Sequence, residues 1–419
     1  MSKFIIQGGR QLAGEIEVKG AKNAALKILP AALLSNQPTT INNLPLIEDV
    51  QRAIELLRDL GAKIELNQAS CQIQVNGLAK NVIEPAFANK FRASIMFAGP
   101  ILARTGEVSF PHPGGCVIGA GKRPIDLFLE GFLALGAELS QDEQFYHLKC
   151  RKLTGAEYFF TTISVTGTEA MMMTAVLAEG TTILKNCAME PEVVDLADNL
   201  NKQGAKISGA GTPTIIIEGV SKLTGGEIKV MPDRIEAGTF AILAAATKAE
   251  ITITNCNPTT IEILLAIFDK IGIKYSTGND WLKIHKNNKI KPYNIVTHEY
   301  PGFPTDLQSP YTVLMTQAEG RSLIHEVIYD RRLLFTDILT QMGAEIIMCD
   351  PHRVVVIGPT KLSGRKLTSP DLRAGIAIII AALIAEGKTE IDNIYQIDRG
   401  YENIDERLNR LGAEIKRTN

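Results

Sequence analysis

The chain has 419 residues, 45% hydrophobic and 21% charged, which is enough for two or more domains, each with its own buried core. A net charge of −2 leaves no basic excess for a nucleic-acid backbone or an anionic membrane, so any anion site must be local. Six cysteines (71, 116, 150, 187, 256 and 349) without a C-x-x-C pair exclude a disulfide framework and a zinc site as starting expectations. The start, MSKFIIQGG, lacks the apolar stretch of a secretory signal. The longest apolar run, AGIAIIIAALIA (374–385), is shorter than the roughly 20 residues that span a bilayer and reads as a buried helix. A cytoplasmic protein is expected.

Six copies of one unit follow along the chain. The first carries an apolar helix, NAALKILPAALL, and an amphipathic helix, DVQRAIELLRDL (49–60), that stops at Gly61 in LGAKIE. The second has RASIMFAGPILA and ends at Gly136 in LGAELS, and the third has EAMMMTAVLA and ends at Gly204 in QGAKIS. EAGTFAILAAAT precedes Gly272 in IGIKYS, LQSPYTVLMTQA precedes Gly343 in MGAEII, and LRAGIAIIIAALIA with ENIDERLNRL precedes Gly412 in LGAEIK. The intervals between these glycines are 75, 68, 68, 71 and 69 residues. Each unit reads as strand, buried helix, strand, outer helix, strand. Six units of this length fit two groups of three better than a solenoid. The expected architecture is therefore a two-domain α/β protein divided near 222–234, with a cleft between the halves.

Where the copies differ, a site is expected. The 75-residue interval holds PHPGGCVIGAGKRP (111–124), in which Cys116 lies between glycines and shortly before Lys122 and Arg123. Such cations lower a thiol pKa, and a loop leaves the group reachable. The buried helices open with cations, namely Lys22, Arg92, Arg234 and Arg373. A cation there opposes the helix dipole unless an anion is held at the same end. The fifth helix instead opens with Asp306, suited either to helix capping, the commoner role, or to general-base chemistry among cations. Further cations stand at Arg331, Arg332 and Arg399.

Taken in order, GAKNAALKILPAALL, FRASI, PGGC, RPIDL, LAEGTT, GFPTDLQ, SPDLRAG and IDRGYE resemble the enolpyruvyl transferase family, within it the UDP-N-acetylglucosamine 1-carboxyvinyltransferases, over essentially the whole chain. The resemblance implies two inside-out α/β barrel domains of three β-α-β-α-β units each, 22–230 and 1–21 plus 231–419, with the active site in the cleft. It implies transfer of the enolpyruvyl group of phosphoenolpyruvate to the 3′-hydroxyl of UDP-N-acetylglucosamine, the opening step of peptidoglycan precursor synthesis, with no metal or organic cofactor. Cys116, Asp306, Lys22 and Arg399 match catalytic positions. Lys22, Asn23, Arg123, Arg332, Arg373 and Arg399 match phosphoenolpyruvate positions. Arg92, Arg123, Pro124, Ile125, Asp126, Leu127, Thr162, Ile163, Ser164, Val165, Asp306 and Ile328 match UDP-sugar positions. Partners are then small molecules, neither nucleic acid nor membrane, and the oligomeric state stays open, a monomer included. The chain departs from the family in reading GAGKRP after the cysteine, with Gly121 and Lys122 additional.

Other readings differ in what they require. The shikimate 3-phosphate enzyme shares the fold but lacks the PGGC loop. A catalytically silent UDP-sugar-binding paralogue has no need of Lys22, Cys116, Asp306 and Arg399 together. An RNA 3′-phosphate cyclase needs other helix-start motifs.

Overall fold

The computed structural model describes residues 2–88, 92–112 and 125–418. Cys116, Arg123 and Pro124, with the rest of 113–124, lie outside the described residues. The chain forms two compact units and passes between them at 19–20 and 231–232. Each has its own hydrophobic core.

All six apolar stretches are helical, as their sequence pattern predicts. Those of the first unit, which takes residues 2–19 and those from 232 on, are Arg234–Ala246, Thr305–Met315 and Leu372–Ile384, packed on one another. The run read as too short for a membrane lies inside the last of them, with Ile376, Ile378, Ile379 and Ile380 fully buried. Each such side chain contributes about 1.5–3 kcal/mol. Among the described residues no helix is long and apolar enough to cross a membrane. The second unit has Lys22–Ala31, Ala98–Thr105 and Val165–Ala175. In the middle one, the RASIMF stretch is a 3₁₀ turn, Arg92–Phe97, and the α-helix starts only at Ala98.

The outer helices also form, and all six glycines adopt positive φ, from 85° at Gly272 to 104° at Gly343. A side chain with a Cβ would be strained there, so the glycine ends the helix and turns the chain into the next strand. That strand is not the last of its unit. It pairs with one more, as Lys63–Asn67 does with Ser70–Gln74 in an antiparallel hairpin. The observed unit is thus β-α-β-α-β-β, one strand more than the pattern suggests. The hairpin partners alternate with the same period and merge with the next unit when read as sequence.

Among the described residues the strands make six sheets, three per unit, five of four strands and one of three. Strand Glu250–Thr254 shows the design: Ile251 and Ile253 are fully buried while Glu250 faces out. It runs parallel to Ala13–Glu17 and antiparallel to Trp281–Ile284. Lys3–Gln7 likewise lies between Lys388–Asp392 and Glu414–Thr418, so the N-terminus completes the last repeat. In the second unit, Gly226–Lys229 pairs in parallel with Thr39–Asn42 of the first repeat. In the three-stranded sheet the corresponding first strand is reduced to a single parallel bridge, Val82 to Ser109.

Candidate active site

In the first unit, Asp306 lies in the opening turn of helix Thr305–Met315. The N-cap position is Pro304, and no side chain caps the helix. Capping, the commoner expectation for Asp306, is therefore not its role. Its Oδ1 accepts from Arg332 Nη2 and its Oδ2 from Arg373 Nη2, both at 2.8 Å. The two arginine side chains are 4% and 7% exposed, the carboxylate 25%. Burial by itself would raise the carboxyl pKa, but Arg373 and Arg332 outweigh it and hold the group well below the usual carboxylate range.

The structure brings these three residues together, and the sequence hides their supports. Arg373 Nη1 donates to Tyr401 Oη at 3.1 Å, and Tyr401 lies 3.0 Å from Thr239 Oγ1. The Thr239 hydroxyl donates to the Ile235 carbonyl at 2.7 Å. Its one hydrogen is used, so Tyr401 donates to Thr239 and accepts from Arg373. Burial pushes the Tyr401 phenol up to about 12, which keeps it a donor. The chain links all three buried helices of the unit. Asp371 caps helix Leu372–Ile384 through the Arg373 and Ala374 amides, fixing where the guanidinium starts. Arg399 follows the short helix Tyr395–Asp398 and donates to Gln396 at 3.1 Å. It is not among the arginines that hold Asp306. Ile328 is half-buried, and its amide donates to Glu326 Oε1 at 2.8 Å.

In the second unit, Lys22 and Asn23 open helix Lys22–Ala31, which has no capping side chain and no acid in its first turn. Lys22 Nζ lies 2.7 Å from Asp49 Oδ2. One turn on, Lys27 Nζ donates to the Asn23 carbonyl at 2.7 Å and stands 3.1 Å from Glu169 Oε2. Glu169 is fully buried, and burial, only partly offset by Lys27, raises its pKa to about 7, with Glu192 and Glu190 adding to the rise. A carboxyl raised above its ordinary 4.5 brings stability that is present in acid and lost as pH rises through about 7. The Glu169→Gln variant, neutral at every pH, is expected to show a shallower fall of Tm between about pH 5 and 8 than the parent, measured by calorimetry. An equal or steeper fall would contradict this.

Arg92 and Ile125 line one pocket of this unit with Ile83, Ser94 and Phe110. Asp126 begins helix Asp126–Ala134 and is exposed, and the Leu127 carbonyl accepts from Tyr158 Oη at 3.3 Å. Thr162 is exposed, with Ile163 and Val165 half-buried. The Ser164 hydroxyl caps helix Val165–Ala175 by accepting from the Gly167 amide at 3.0 Å, so its side chain is engaged in the scaffold. Cys71, Cys187 and Cys256 are buried, and burial pushes each thiol up to about 11. They are inert packing residues. Among the described residues no cluster of three His, Cys, Asp or Glu side chains is placed to hold a metal.

Comparison places this repeated α/β frame in a known class. The family model described as EPSP synthase (3-phosphoshikimate 1-carboxyvinyltransferase) matches residues 6–408, and the chain belongs to this enolpyruvyl transferase family. Within it, the chain is 44% identical to the UDP-N-acetylglucosamine 1-carboxyvinyltransferase of Koribacter versatilis, over 100% of this chain and 96% of the relative. It is 43% identical to that of Desulfosudis oleivorans, over 100% and 99%. Its fold matches the enolpyruvyl transferase NikO from Streptomyces tendae with a TM-score of 0.91 at 22% identity, covering 100% and 99% of the two chains. An EPSP synthase from Acinetobacter baumannii follows at 0.74 and 18%, with both chains covered in full.

Proposed function

We propose that this protein transfers the enolpyruvyl group of phosphoenolpyruvate to the 3′-hydroxyl of UDP-N-acetylglucosamine and releases phosphate, in the cytoplasm and on small-molecule substrates alone, with no metal or organic cofactor. The two three-repeat units are its domains. The observation that carries the chemistry is the Asp306 carboxylate held by Arg332 and Arg373. The choice of acceptor rests on full-length identity of 42–44% to relatives named for the UDP-sugar reaction.

The reaction is an addition followed by an elimination. The sugar 3′-oxygen bonds to C2 of phosphoenolpyruvate as C3 takes a proton and becomes a methyl group. Loss of phosphate and of a C3 proton then restores the double bond. Asp306 takes the hydroxyl proton and Cys116 supplies the one to C3. While both arginines hold it, Asp306 is a weak base. A substrate carboxylate that draws off Arg332 or Arg373 returns Asp306 toward its ordinary range. Lys22, Asn23, Arg123 and Arg399 hold phosphoenolpyruvate and steady the charge on departing phosphate. Arg92, residues 123–127, residues 162–165 and Ile328 hold the UDP-sugar.

The test is phosphate release from phosphoenolpyruvate with UDP-N-acetylglucosamine or shikimate 3-phosphate as acceptor. Release with the UDP-sugar alone is expected. Release with neither, from protein that binds the UDP-sugar, would establish the silent paralogue instead. Cys116→Asp, which keeps a proton donor of another kind, is expected to retain part of the turnover in the same assay. Cys116→Ala, which keeps none, is expected to fall about 10²-fold. Near-normal turnover of Cys116→Ala would remove the thiol from the mechanism.

A further inference from the structure

Glu326 follows strand Gly320–His325 and is fully buried, yet among the described residues no cation is hydrogen-bonded to its side chain. Its carboxylate is satisfied by four neutral donors instead. Oε1 accepts from Thr297 Oγ1 at 3.0 Å and from the amides of Ile328 and Tyr329 at 2.8 and 3.1 Å. Oε2 accepts from Thr305 Oγ1 at 2.7 Å. Burying an ion is costly, and so complete a set of partners marks a group retained for what it holds in place.

The hydrogen directions follow from the groups. Arginine can only donate, so Thr305 accepts from Arg332 Nη1, at 2.8 Å, and spends its own hydrogen on Glu326. The other terminal nitrogen of Arg332 goes to Asp306. Thr297 works in the same way on the other side, accepting from the Val327 amide at 3.0 Å and donating to Glu326. Three consecutive amides, 327 to 329, are therefore folded around one carboxylate, two directly and one through Thr297. The turn they form presents Ile328 and lays the Tyr329 ring 5.1 Å from the Arg332 guanidinium carbon.

We propose that Glu326 is a positioning residue that ties the two substrate sides together. Through Thr305 it aims Arg332 at the enolpyruvyl side, and through the 327–329 amides it sets the turn that meets the UDP-sugar. This rests on the substrates proposed above. No residue in the sequence pattern pointed to it, because Thr297 and Glu326 look like ordinary strand-end polar residues and Thr305 like the plain first residue of a helix.

The test uses the full-length protein, with active enzyme counted independently of rate. Thr305→Val removes only the Arg332 branch. It is expected to raise KM for phosphoenolpyruvate about tenfold, the worth of one hydrogen bond to a charged group, and to leave KM for UDP-N-acetylglucosamine within about twofold. Thr297→Val removes a donor on the other branch and reverses the pattern. Glu326→Leu, which removes both acceptor oxygens, raises both. A merely structural role would lower the amount of active enzyme and leave both KM values where they were. That result overturns the proposal, as does a Glu326→Leu variant in which only one KM moves. If Glu326→Leu fails to fold, the two valine variants decide alone. A parent enzyme with no turnover would overturn the substrate reading itself. Turnover with KM values unmoved overturns only the role of Glu326.

Discussion

Replacing Asp306 by asparagine is expected to lower kcat by about 10²- to 10⁴-fold, the usual contribution of a positioned general base. The same change distinguishes this base from a residue that merely binds substrate. Asparagine can accept a hydrogen bond from Arg332 or Arg373 but cannot balance their charge, and both are nearly buried. In the variant the two guanidinium groups are left seeking an anion, so KM for phosphoenolpyruvate is expected to stay level or fall while kcat collapses. Arg373→Ala should do the opposite and raise KM. A pH profile adds a second check. The paired Asp306 titrates far below its ordinary value, so it is ionised wherever the protein is folded, and the free enzyme has no acid limb from it. Once a substrate anion competes for the arginines the carboxyl moves up, and an acid limb should appear in kcat before it appears in kcat/KM. An Asp306→Asn enzyme with near-parental kcat would sink the assignment. The linked effect on stability has a definite sign: a carboxyl whose folded pKa is depressed stabilises above its unfolded value of about 4 and loses that contribution in acid.

The repeats were legible because they are written in local periods. Helices show a 3.6-residue pattern, strands a period of two, and every outer helix stops at a glycine whose φ only glycine adopts cheaply. The extra hairpin strand escaped because a strand carries no marker that separates it from the next strand in line. The 3₁₀ turn at Arg92 escaped because its apolar pattern matches that of a helix. At the site, residue types were readable and partners were not. Asp306 looked like a cap because capping is a local event, whereas its true partners lie 26 and 67 residues away in sequence. Lys27 sat unremarked inside an apolar helix, and Glu169 inside another, since one sequence cannot show that two buried charges face each other. Glu326 and Tyr401 support arginines that the pattern did flag, and nothing in their own neighbours in sequence marks that role.

Arg407→Ala is expected to cost about 3–5 kcal/mol, on the order of 10 °C in Tm. In sequence, Arg407 belongs to an amphipathic outer helix, Ile404–Arg410, where a cation should face water. It faces inward, 7% exposed, and grips the Glu236 carboxylate with both terminal nitrogens at 2.7 and 2.9 Å. One of those nitrogens also donates to the Glu17 carbonyl at 2.6 Å, and the guanidinium lies over the Phe240 ring at 5.0 Å. Glu236 in turn accepts from the Lys19 amide at 2.8 Å. The pair thus fastens the N-terminal segment to a central helix and to the last outer helix of the same unit. Removing the arginine leaves a buried carboxylate with one amide for company, and that uncompensated charge is the main cost. Lysine would not serve, since it cannot make the two parallel bonds. The double variant Arg407→Met with Glu236→Met separates charge from packing. Apolar side chains of similar length should recover most of the loss, because a buried ion pair contributes little beyond what good packing does. Hydrogen exchange should show strand Ala13–Glu17 losing protection first in Arg407→Ala. A loss below about 1 kcal/mol for Arg407→Ala, or a double variant no more stable than the single, would mean that water reaches Glu236 and that the fastening lies elsewhere.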